Sequence, residues 1–484
     1  MALITLLEPV KYHPAITVLL SGLILLIFRS IYRIFFHPLS KVPGPLLAKC
    51  TSLWLNYHSY VGDECTIIHA LHQIYGPILR VGPKDVDIAD GEALAPIYAD
   101  KGGFLKSECY SNFDIDGHAS IFSTVPPLHR APRAKAVVPL FSTTSLRNGN
   151  DAIEGCVDRM VSRMQKESVS GKPVNILNLT RSLATDAVSS YLLGNSYGGI
   201  QENSQLSASP FVDSFVAVGR FFYLPNQVFM FLEWLLATIM PDPHVDKSMA
   251  KVDGFIAKVV ESSTKGSENF PGRLLDQGIS KHETMAQCKD LMFAGTDSTG
   301  MNLATICWNL ALHTDKYNIL CREVFEHKNH QTDPQSLPYL RGVVREGLRL
   351  SMANPTRLPR VVPPSGWTFK GYHFPPGTNV GVAAYELHLS PKVFPSPNSF
   401  LPERWLDPTP EMQRDWMPFG AGTRQCIARN LAMVELYLAT AKIAERDVMK
   451  GASVVEGKVE IMEWFNSKVR GEKIELIWPA GETA

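Results

Sequence analysis

The sequence predicts a mainly helical fold with a small β region, preceded by one N-terminal transmembrane helix. Apolar residues recur at helical spacing over most of residues 128–350. An apolar segment without charged residues, 12–28, lies near the start of the chain. Short runs with the composition of β-strands lie on both sides of the helical region, at 78–81, 86–88, 361–362, 367–369, 378–383 and 473–478.

The N-terminal segment is long enough to cross a bilayer. Residues 12–28 contain no Asp, Glu, Lys or Arg, and the apolar character continues to Phe36. A cleaved signal peptide is the alternative, but the segment has no Ala-x-Ala site. The basic residues Arg29 and Arg33 follow the segment, so the positive-inside rule places the bulk of the chain in the cytosol. We therefore expect a membrane anchor at residues 1–36.

The segment after the anchor cannot continue a helix. Residues 37–45 contain three prolines, which remove backbone donors and fix φ. We expect a stiff proline-rich hinge there, followed by a folded domain at 46–484. The 484 residues are 45% hydrophobic, which suffices for a large core. The 47 basic and 47 acidic residues cancel, so nothing indicates a nucleic acid as a partner.

The residues around Cys426 point to a metal ligand. Phe419, Gly420, Gly422 and Arg424 precede it in the order Phe-Gly-x-Gly-x-Arg-x-Cys. The two glycines permit a tight loop. A helical pattern begins just after the sulfur, and the positive end of a helix favours a thiolate. The eight cysteines of the chain show no zinc spacing and no disulfide framework. A buried, inert cysteine is the alternative.

This ten-residue pattern, completed by Ala428, resembles the haem-binding signature of the cytochrome P450 family. The resemblance implies the fold of that family. It also implies haem b, an iron protoporphyrin IX, with Cys426 as the axial thiolate ligand of the iron. Phe419, Gly420, Gly422 and Arg424 would form the cofactor-binding loop.

A second pattern lies on a long apolar helix and combines small residues, hydroxyls and a carboxylate. It is similar to the oxygen-activation motif of the same family. The resemblance implies that Ala294 and Gly295 form a dioxygen groove and that Asp297 relays protons. Ser298 stands where the family pattern has threonine, and Thr299 is the second hydroxyl that can share its role. A helix bend with hydroxyls bonded back to carbonyls is the alternative.

A third pattern, Glu346-x-x-Arg349, places opposite charges one helical turn apart. Arg404 follows in an irregular downstream segment. In the family, a Glu-x-x-Arg pair joins such an arginine in a buried network. The resemblance therefore implies a structural role for these three residues.

Three arginines are candidates for binding the propionates of haem. Arg424 lies in the ligand loop, Arg360 lies where the chain turns into a strand, and Arg133 follows His129 by one helical turn. By resemblance, Arg133 stands at the place of the propionate arginine and His129 at the place where many members have tryptophan. For Arg133 the alternative is a basic surface shared with Arg130, and such basic residues would suit docking of an acidic redox partner.

The resemblance extends over the anchor, the hinge and nearly the whole body. It implies a monooxygenase that inserts one oxygen atom from O2 into a lipophilic small molecule. Electrons would come from NADPH through NADPH–cytochrome P450 reductase, with cytochrome b5 as an additional donor. The chain would be a single-pass protein of the endoplasmic reticulum membrane with a cytosolic catalytic domain. It looks like filamentous-fungal members that modify terpenoid, polyketide or alkaloid intermediates.

Several positions are candidates for lining the substrate pocket by family layout, although core packing accounts for apolar residues equally well. They are Phe113, Phe122, Phe293, Leu358 and Phe465. Residues 228–240 are apolar but too short to span a bilayer, so we expect them to touch the membrane surface. The glycosylation sequon at Asn178 is expected to stay unmodified in a cytosolic domain.

Two other functions compete with monooxygenation. One is a haem-thiolate isomerase or dehydratase that does not use O2. The presence of Asp297 and Ser298 argues against it, because such members often lose the acid and hydroxyl of the groove. The other is a non-catalytic membrane scaffold without cofactor.

Overall fold

The computed structural model describes residues 14–327 and 333–479, and its architecture is a large helical body with small sheets, as the sequence predicts. The helices of the described residues are α1 (Pro14–Ile31), α2 (Leu46–Cys50), α3 (Leu53–Val61), α4 (Glu64–Tyr75), α5 (Pro127–Val137), α6 (Thr143–Asn148), α7 (Asn150–Ser168), α8 (Ile176–Val188), α9 (Ser209–Val218), α10 (Asn226–Ile239), α11 (Pro243–Ser262), α12 (Phe270–Asp276), α13 (Lys281–Leu312), α14 (Thr314–His327), α15 (Pro338–Ser351), α16 (Ala384–His388), α17 (Pro410–Asp415) and α18 (Arg429–Glu445).

The strands are short and form four small sheets. They are β1 (Ile78–Arg80), β2 (Asp85–Ile88), β3 (Leu105–Lys106), β4 (Val174–Asn175), β5 (Arg360–Val361), β6 (Trp367–Phe369), β7 (Tyr372–Phe374), β8 (Asn379–Gly381), β9 (Ser453–Val454), β10 (Ile461–Met462), β11 (Lys468–Val469) and β12 (Glu475–Ile477). The largest sheet has the order β1-β2-β8-β5-β3, and the others are β4-β12-β9, β6-β7 and β10-β11.

One register in the largest sheet bears on the functional site. Strand β2 pairs with β8 in parallel, and the other pairings of this sheet are antiparallel. Lys106 of β3 lies opposite Arg360 of β5. Residues directly opposite each other in an antiparallel pair share one face of the sheet. The sheet therefore presents two basic side chains side by side.

The longest helix, α13, runs through the centre of the helical body. Ser280 caps its start through its side-chain oxygen. The helix packs most extensively against α8 and also contacts α11, α15 and α18. Two glycines permit the closest approaches. A Cβ on Gly300 would lie 2.6 Å from Cγ of Arg181 on α8, and one on Gly347 of α15 would lie 2.2 Å from Cγ1 of Ile306.

The N-terminal helix is fixed to the folded domain. Ala15–Phe36 is a span of 22 residues with mean hydropathy 2.1, and none of it is buried. Arg33 donates a hydrogen bond of 2.5 Å to the last carbonyl of α2, and the buried Arg80 donates one of 2.9 Å to the carbonyl of Arg33. Leu39 is fully buried within the proline-rich segment 37–45. That segment is a packed corner between α1 and the domain, consistent with stiffness.

A second exposed apolar surface lies on α10, within the segment predicted to touch the membrane. Met230, Phe231, Trp234 and Ile239 are between 57% and 66% exposed. With 14 residues the helix is too short to cross a bilayer. Its apolar side chains are therefore available to a surface outside the protein.

Candidate functional site

The loop before α18 holds the Cys426 thiol in a defined position. The backbone N–H of Cys426 donates to the carbonyl of Phe419 at 2.9 Å and closes the loop. Gly420 and Gly422 adopt φ values of +71° and +69°, which side chains rarely allow. A Cβ on Gly422 would lie 1.9 Å from the carbonyl oxygen of Tyr98. The glycine spacing in the sequence is therefore required by the shape of this loop.

The thiol of Cys426 faces an internal cavity. Its side chain keeps accessible surface, yet burial is the main cause that raises the pKa of the thiol. A group that is accessible and also surrounded by protein lies on an inner surface. The backbone N–H of Ala428 and the charge of Arg429 act in the opposite sense and lower the pKa. Coordination to a metal ion would supply the remaining stabilisation of the thiolate.

One stripe of α13 also keeps accessible surface. Between residues 286 and 307 of the helix, five residues keep accessible surface, and the rest are buried. The five are Asp290, Leu291, Ala294, Gly295 and Ser298. Their spacing of three and four residues places them along one side of the helix. Ala294 is the most accessible of the five, although its helix runs through the core.

The two hydroxyls of the oxygen-activation pattern lie in different surroundings. Ser298 is on the accessible stripe and donates to Oδ1 of Asn354 at 3.3 Å. Thr299 is buried. Of the two, Ser298 is therefore the hydroxyl that a molecule in the cavity can reach.

Gly295 lies at the contact between α13 and α8 and keeps accessible surface as well. A Cβ at this position would lie 2.5 Å from Cγ2 of Val188 on α8. The missing side chain thus allows the two helices to pack closely, and the groove role of Gly295 stays a prediction. Ala294 is the more accessible of the two small residues.

Asp297 is directed toward α8 and joins a buried ion network. Its Oδ1 accepts a hydrogen bond of 2.5 Å from Nη2 of Arg181, and Nη1 of Arg181 donates to Asp213 of α9 at 3.0 Å. The other oxygen, Oδ2, is buried without a hydrogen-bond partner in the described part of the chain. Burial raises the pKa of Asp297, and Arg181 opposes the rise. The proton-relay role of Asp297 stays a prediction.

A cluster of positive charges borders the cavity. Burial lowers the pKa of Arg424 to about 10, and repulsion from Arg130 and Arg360 adds to the effect. Burial lowers the pKa of Lys106 far below its usual range, and the same three arginines contribute. The groups that accept hydrogen bonds from these arginines are neutral. Arg424 donates to the carbonyl of Thr124, and Arg360 donates to the Tyr110 hydroxyl and the Pro359 carbonyl, both at 3.1 Å.

This cluster fits the carboxylates of a haem. Buried cations without counter-charges are costly, so the site calls for an anionic ligand. Haem carries two propionates, and arginine binds carboxylates well. The Cys426 thiol suits the iron of haem, and the cation cluster suits its propionates. When bound, haem supplies the iron that activates dioxygen.

Arg133 and His129 lie differently from the cluster. Nε of Arg133 contacts Oε1 of Glu283 at 2.5 Å, and its Nη1 donates to the carbonyl of His129 at 2.8 Å. The His129 ring lies 3.2 Å from the hydroxyl of Thr124. The charge of Arg133 is already paired, whereas that of Arg130 on the same helix acts on Arg424. The propionate role of Arg133 therefore stays a prediction, and Arg130 is an additional candidate.

Most of the predicted substrate-lining residues come together in an aromatic cluster. Phe113 and Phe465 have ring centroids 5.1 Å apart, and Phe122 lies 5.8 Å from Phe113 and 5.6 Å from Phe465. Tyr110 and Phe222 belong to the same cluster, with Leu358 packed against it.

Phe293 lies apart from this cluster, and its substrate-lining role stays a prediction. It is 6% exposed and packs in the core against Phe215, with ring centroids 5.3 Å apart. It is not one of the five accessible residues of α13, among which Asp290 and Ala294 are its neighbours. It is therefore a core residue in this structure.

The Glu346, Arg349 and Arg404 side chains form one buried network. Glu346 accepts from Arg349 at 2.8 and 3.0 Å and from Nε of Arg404 at 3.1 Å. It also accepts from the Trp405 indole at 2.9 Å and from the backbone N–H of Leu401 at 3.1 Å. The Glu346 and Arg349 side chains have no exposed surface. The sequence did not indicate the Trp405 contact.

A groove lies on the outer side of the Cys426 loop. Its volume is about 870 Å³, and its lining includes Phe419 and Arg429 from the ends of the loop. The other basic lining residues are Arg147, Arg341, Arg345 and Lys442. This groove, which we call the basic groove, therefore places five basic side chains beside the ligand loop.

Comparison with known proteins agrees with this geometry. The sequence model of the family described as Cytochrome P450 matches residues 43–446. The chain belongs to the cytochrome P450 family. It is accordingly a haem-thiolate monooxygenase that uses O2 and reductase-derived electrons.

Curated relatives are similar over nearly their full length. Cytochrome P450 monooxygenase mfmF of Annulohypoxylon moriforme is 40% identical, covering 95% of this chain and 99% of that protein. Cytochrome P450 monooxygenase tazI of Aspergillus terreus is 30% identical, covering 90% and 92%. Fusicoccadiene C-8 hydroxylase of Alternaria brassicicola is 28% identical, covering 85% of each. A solved structure, retinoic acid bound cyanobacterial CYP120A1, has a TM-score of 0.69 at 20% identity, covering 90% of this chain and 98% of that chain. It supports the fold.

Sequence reasoning missed several residues of the site. Lys106 and Arg181 gave no local signal, because their partners are distant in the chain; Arg181 and Asp297 are 116 residues apart. Asp290 had a usable signal. It precedes Ala294 by four residues, which places it on the same side of a helix.

We expect Glu346→Gln to destabilise the protein severely. The substitution leaves two buried arginines without their counter-charge and turns an acceptor into a donor, which costs about 3–5 kcal/mol. Urea denaturation of the two proteins measures the free energy of unfolding. Glu411→Gln on the exposed surface of α17 is the control and should unfold at the same urea concentration as the wild type. Equal stability of Glu346→Gln and the control would contradict the structural role.

Proposed function

We propose that this monooxygenase inserts one oxygen atom into a C–H or C=C bond of a lipophilic intermediate of fungal secondary metabolism. The observation that carries the proposal is the accessible Cys426 thiol on its glycine loop, together with the accessible stripe of α13 at Ala294 and the cation cluster. The aromatic cluster supplies apolar walls suited to a lipophilic substrate. One relative is named a fusicoccadiene hydroxylase and another, at 29% identity, pisatin demethylase. We propose a terpenoid, polyketide or alkaloid intermediate as the substrate, and the fusicoccadiene hydroxylase supports the terpenoid among these.

The residues have separate roles in this proposal. Cys426 ligates the iron, and Phe419, Gly420 and Gly422 shape its loop. Ala294 leaves room for dioxygen beside α13, and the Ser298 hydroxyl donates a hydrogen bond there. Thr299 supports the helix from its buried side.

Cations and carboxylates then complete the site. Arg424, Arg360 and Arg130 bind the propionates, together with Arg133 if its ion pair with Glu283 opens. Asp297 relays protons toward Ser298, one residue further along the helix, while Arg181 holds its Oδ1 atom in place. Its unpartnered Oδ2 atom is the available acceptor for a water in that path.

Electrons reach the site from NADPH through NADPH–cytochrome P450 reductase, and cytochrome b5 is a second donor. The basic groove outside the Cys426 loop is the docking surface. Five of its lining residues are basic, namely Arg147, Arg341, Arg345, Arg429 and Lys442, against three acidic ones, Glu154, Asp333 and Glu445. A positive surface attracts an acidic partner and steers its approach.

The protein is anchored in the endoplasmic reticulum membrane with its catalytic domain in the cytosol. Ala15–Phe36 supplies the span. In this proposal the exposed apolar side of α10 rests on the same membrane surface. The aromatic residue Trp234 on α10 is suited to the membrane interface.

We expect Cys426→Ala to abolish the thiolate-type Soret band of the reduced carbon monoxide complex. The substitution removes the one ligand that this band reports, while the fold keeps its buried core. Cys321→Ala on α14 is the matched control and should keep the band. Far-ultraviolet circular dichroism shows whether both variants are folded. A folded Cys426→Ala variant that retains the band would refute the ligand assignment.

The same preparation separates monooxygenation from an isomerase or dehydratase. Product formation should require O2, NADPH and the reductase together. Turnover in the absence of the reductase and O2 would support the isomerase instead. Wild-type protein that folds but binds no haem would favour the scaffold.

We expect Arg147→Glu to weaken coupling to the reductase. Arg147 is exposed at the groove, so reversing its charge should raise the KM for reductase by about threefold to tenfold, and the effect should shrink at high salt. Lys458→Glu, which is 80% exposed and outside the groove, is the control. Steady-state reduction rates at varied reductase concentration give both KM values. Equal KM values would place the docking surface elsewhere.

The orientation of the domain relative to the membrane is tested with an engineered glycosylation site, because the side chain of the natural sequon at Asn178 is hydrogen-bonded. The Asn178 amide donates to the carbonyl of Ser204 at 3.3 Å and accepts from Leu206 at 2.8 Å, so its amide is already engaged. Lys265→Asn creates the sequon Asn-Gly-Ser at an exposed turn. Expressed in cells, this variant should stay unglycosylated if the domain is cytosolic. The same domain fused behind a secretory signal should gain a glycan, and glycan on the unfused variant would reverse the orientation.

A further inference from the structure

We propose that His118 and His282 bind a divalent transition-metal ion of the zinc class, and that this ion fastens the loop 114–124 to the start of α13. Nε2 of His118 and Nδ1 of His282 lie 2.8 Å apart, although the two residues are 164 positions apart in the chain. The nitrogen of a neutral imidazole is the ligand that such ions most commonly use in proteins. Neither histidine has a part in the proposed function.

Contacts other than their own hold the two histidines close together. The side-chain amide of Gln287 on α13 donates to the carbonyl of Ala119 and accepts from the backbone N–H of Ile121, both at 3.0 Å. Nζ of Lys289, also on α13, lies 2.6 Å from Oδ2 of Asp116. The loop is therefore aligned with the helix on either side of His118, and the two rings stay near each other whether or not they are hydrogen-bonded.

The local backbone presents both rings to solvent. Asp116 and Gly117 adopt φ values of +50° and +75°, and the backbone N–H of His118 closes this turn by donating to the carbonyl of Ile115 at 2.9 Å. His282 is the second residue of α13. His282 is exposed and His118 is half-buried, so an ion from solution can reach the pair.

The separation of the two nitrogens is close to what one metal ion requires. At zinc–nitrogen distances of about 2.0–2.1 Å, two ligands of a tetrahedral site lie about 3.3 Å apart. The observed 2.8 Å therefore has to widen by roughly 0.5 Å, which small rotations of the two rings supply. The described part of the chain brings no third His, Cys, Asp or Glu into a metal-binding group here, so water completes the coordination.

The neighbouring charges leave the pair open to a cation. Arg133 is paired with Glu283, the residue after His282, at 2.5 Å. Lys289 is paired with two aspartates at 2.6 Å each, which leaves one negative charge in excess. Lys281, the residue before His282, is exposed, so water and salt screen its charge.

A metal ion at this point would restrain a loop that borders the cavity. Phe122 of the loop belongs to the aromatic cluster, with ring centroids 5.6 Å from Phe465. The carbonyl of Thr124, at the end of the loop, accepts a hydrogen bond from Arg424 of the ligand loop. The loop thus connects the two histidines with the wall of the cavity, and a bound ion should slow its opening.

Titration of the full-length holoenzyme with ZnCl2 tests the site. The affinity tag and any bound metal are removed first, and isothermal titration calorimetry gives the dissociation constant. His118→Asn and His282→Asn should each weaken zinc binding by more than about tenfold, because loss of even an outer-shell partner of a metal ligand costs about that much. Mg²⁺ should not compete, since it prefers oxygen ligands. His244→Asn, at the exposed start of α11, is the matched control and should bind zinc as the wild type does.

Hydrogen–deuterium exchange tests the restraint on the loop. Zinc should slow exchange of the backbone amides of residues 114–124 in the wild type and in His244→Asn by about threefold or more, because a stapled loop opens less often. The same amount of zinc should leave this exchange unchanged in His118→Asn and His282→Asn. Far-ultraviolet circular dichroism shows whether the variants, each changed at a solvent-facing ring, keep the fold.

Two results would overturn the inference. Absence of zinc binding by the wild type, or equal affinity in the wild type and both histidine variants, would leave the pair as a hydrogen bond only. Zinc bound at the pair without slower exchange of the loop would remove the restraint. Both measurements need no turnover, whereas the reduced carbon monoxide spectrum reports the haem-thiolate centre, so failure of the proposed function would be seen separately.

Discussion

The position of the Cys426 thiol depends on the buried carboxylate of Glu346, to which a series of side-chain contacts connects it. Glu346 accepts hydrogen bonds from two arginines and the Trp405 indole. The Trp405 ring packs against Trp416 at 5.9 Å, and Trp416 packs against Phe419 at 6.3 Å between ring centroids. Phe419 in turn accepts the hydrogen bond of the Cys426 backbone. The network therefore fixes the ligand loop without touching it.

A second branch of the Glu346 network depends on the protonation state of His388. Arg349 donates to the carbonyl of His388 at 2.7 Å, and the backbone N–H of Met417 donates to Nε2 of His388 at 3.0 Å. Burial and the charge of Arg349 lower the pKa of His388 to about 3. A neutral imidazole can accept at Nε2 while Nδ1 donates to the carbonyl of Arg349. The histidine thus links the helix end to the segment that leads into the ligand loop.

The opposite side of the cavity carries an excess of positive charge. Arg130, Arg360, Arg424 and Lys106 act on one another as like charges within enclosed space. Such repulsion disfavours the folded chain by itself and is relieved by an anionic cofactor. Binding of haem and folding of this region are therefore linked, since a ligand that binds only the folded state stabilises that state. The thiol and the cations hold the cofactor from two directions.

Local spacing predicted the parts of this site that depend on one loop or one helical turn. The Cys426 loop, the Glu346 and Arg349 pair and the apolar span at the N-terminus were all visible in a few consecutive residues. The orientation of α13 was not, because its neighbours α8 and α9 decide which side is buried. For that reason the sequence did not show that Gly295 meets α8 and that Phe293 packs against Phe215 of α9. The repeat of four from Asp290 through Ala294 to Ser298 was the signal that would have separated the sides.

The two sides of α13 explain why its polar residues are tolerated in a buried helix. On one side, Asp290 and Ser298 keep accessible surface, and Ser298 donates a hydrogen bond to Asn354. On the other, Asp297 is compensated by Arg181, which is also bound to Asp213 of α9. A buried charge is stable only when it is paired, so Asp297 ties the position of α9 to that of α13. Because α9 leads directly into the segment that carries Phe222 of the aromatic cluster, the carboxylate beside the oxygen groove and the walls of the substrate pocket belong to one connected structure.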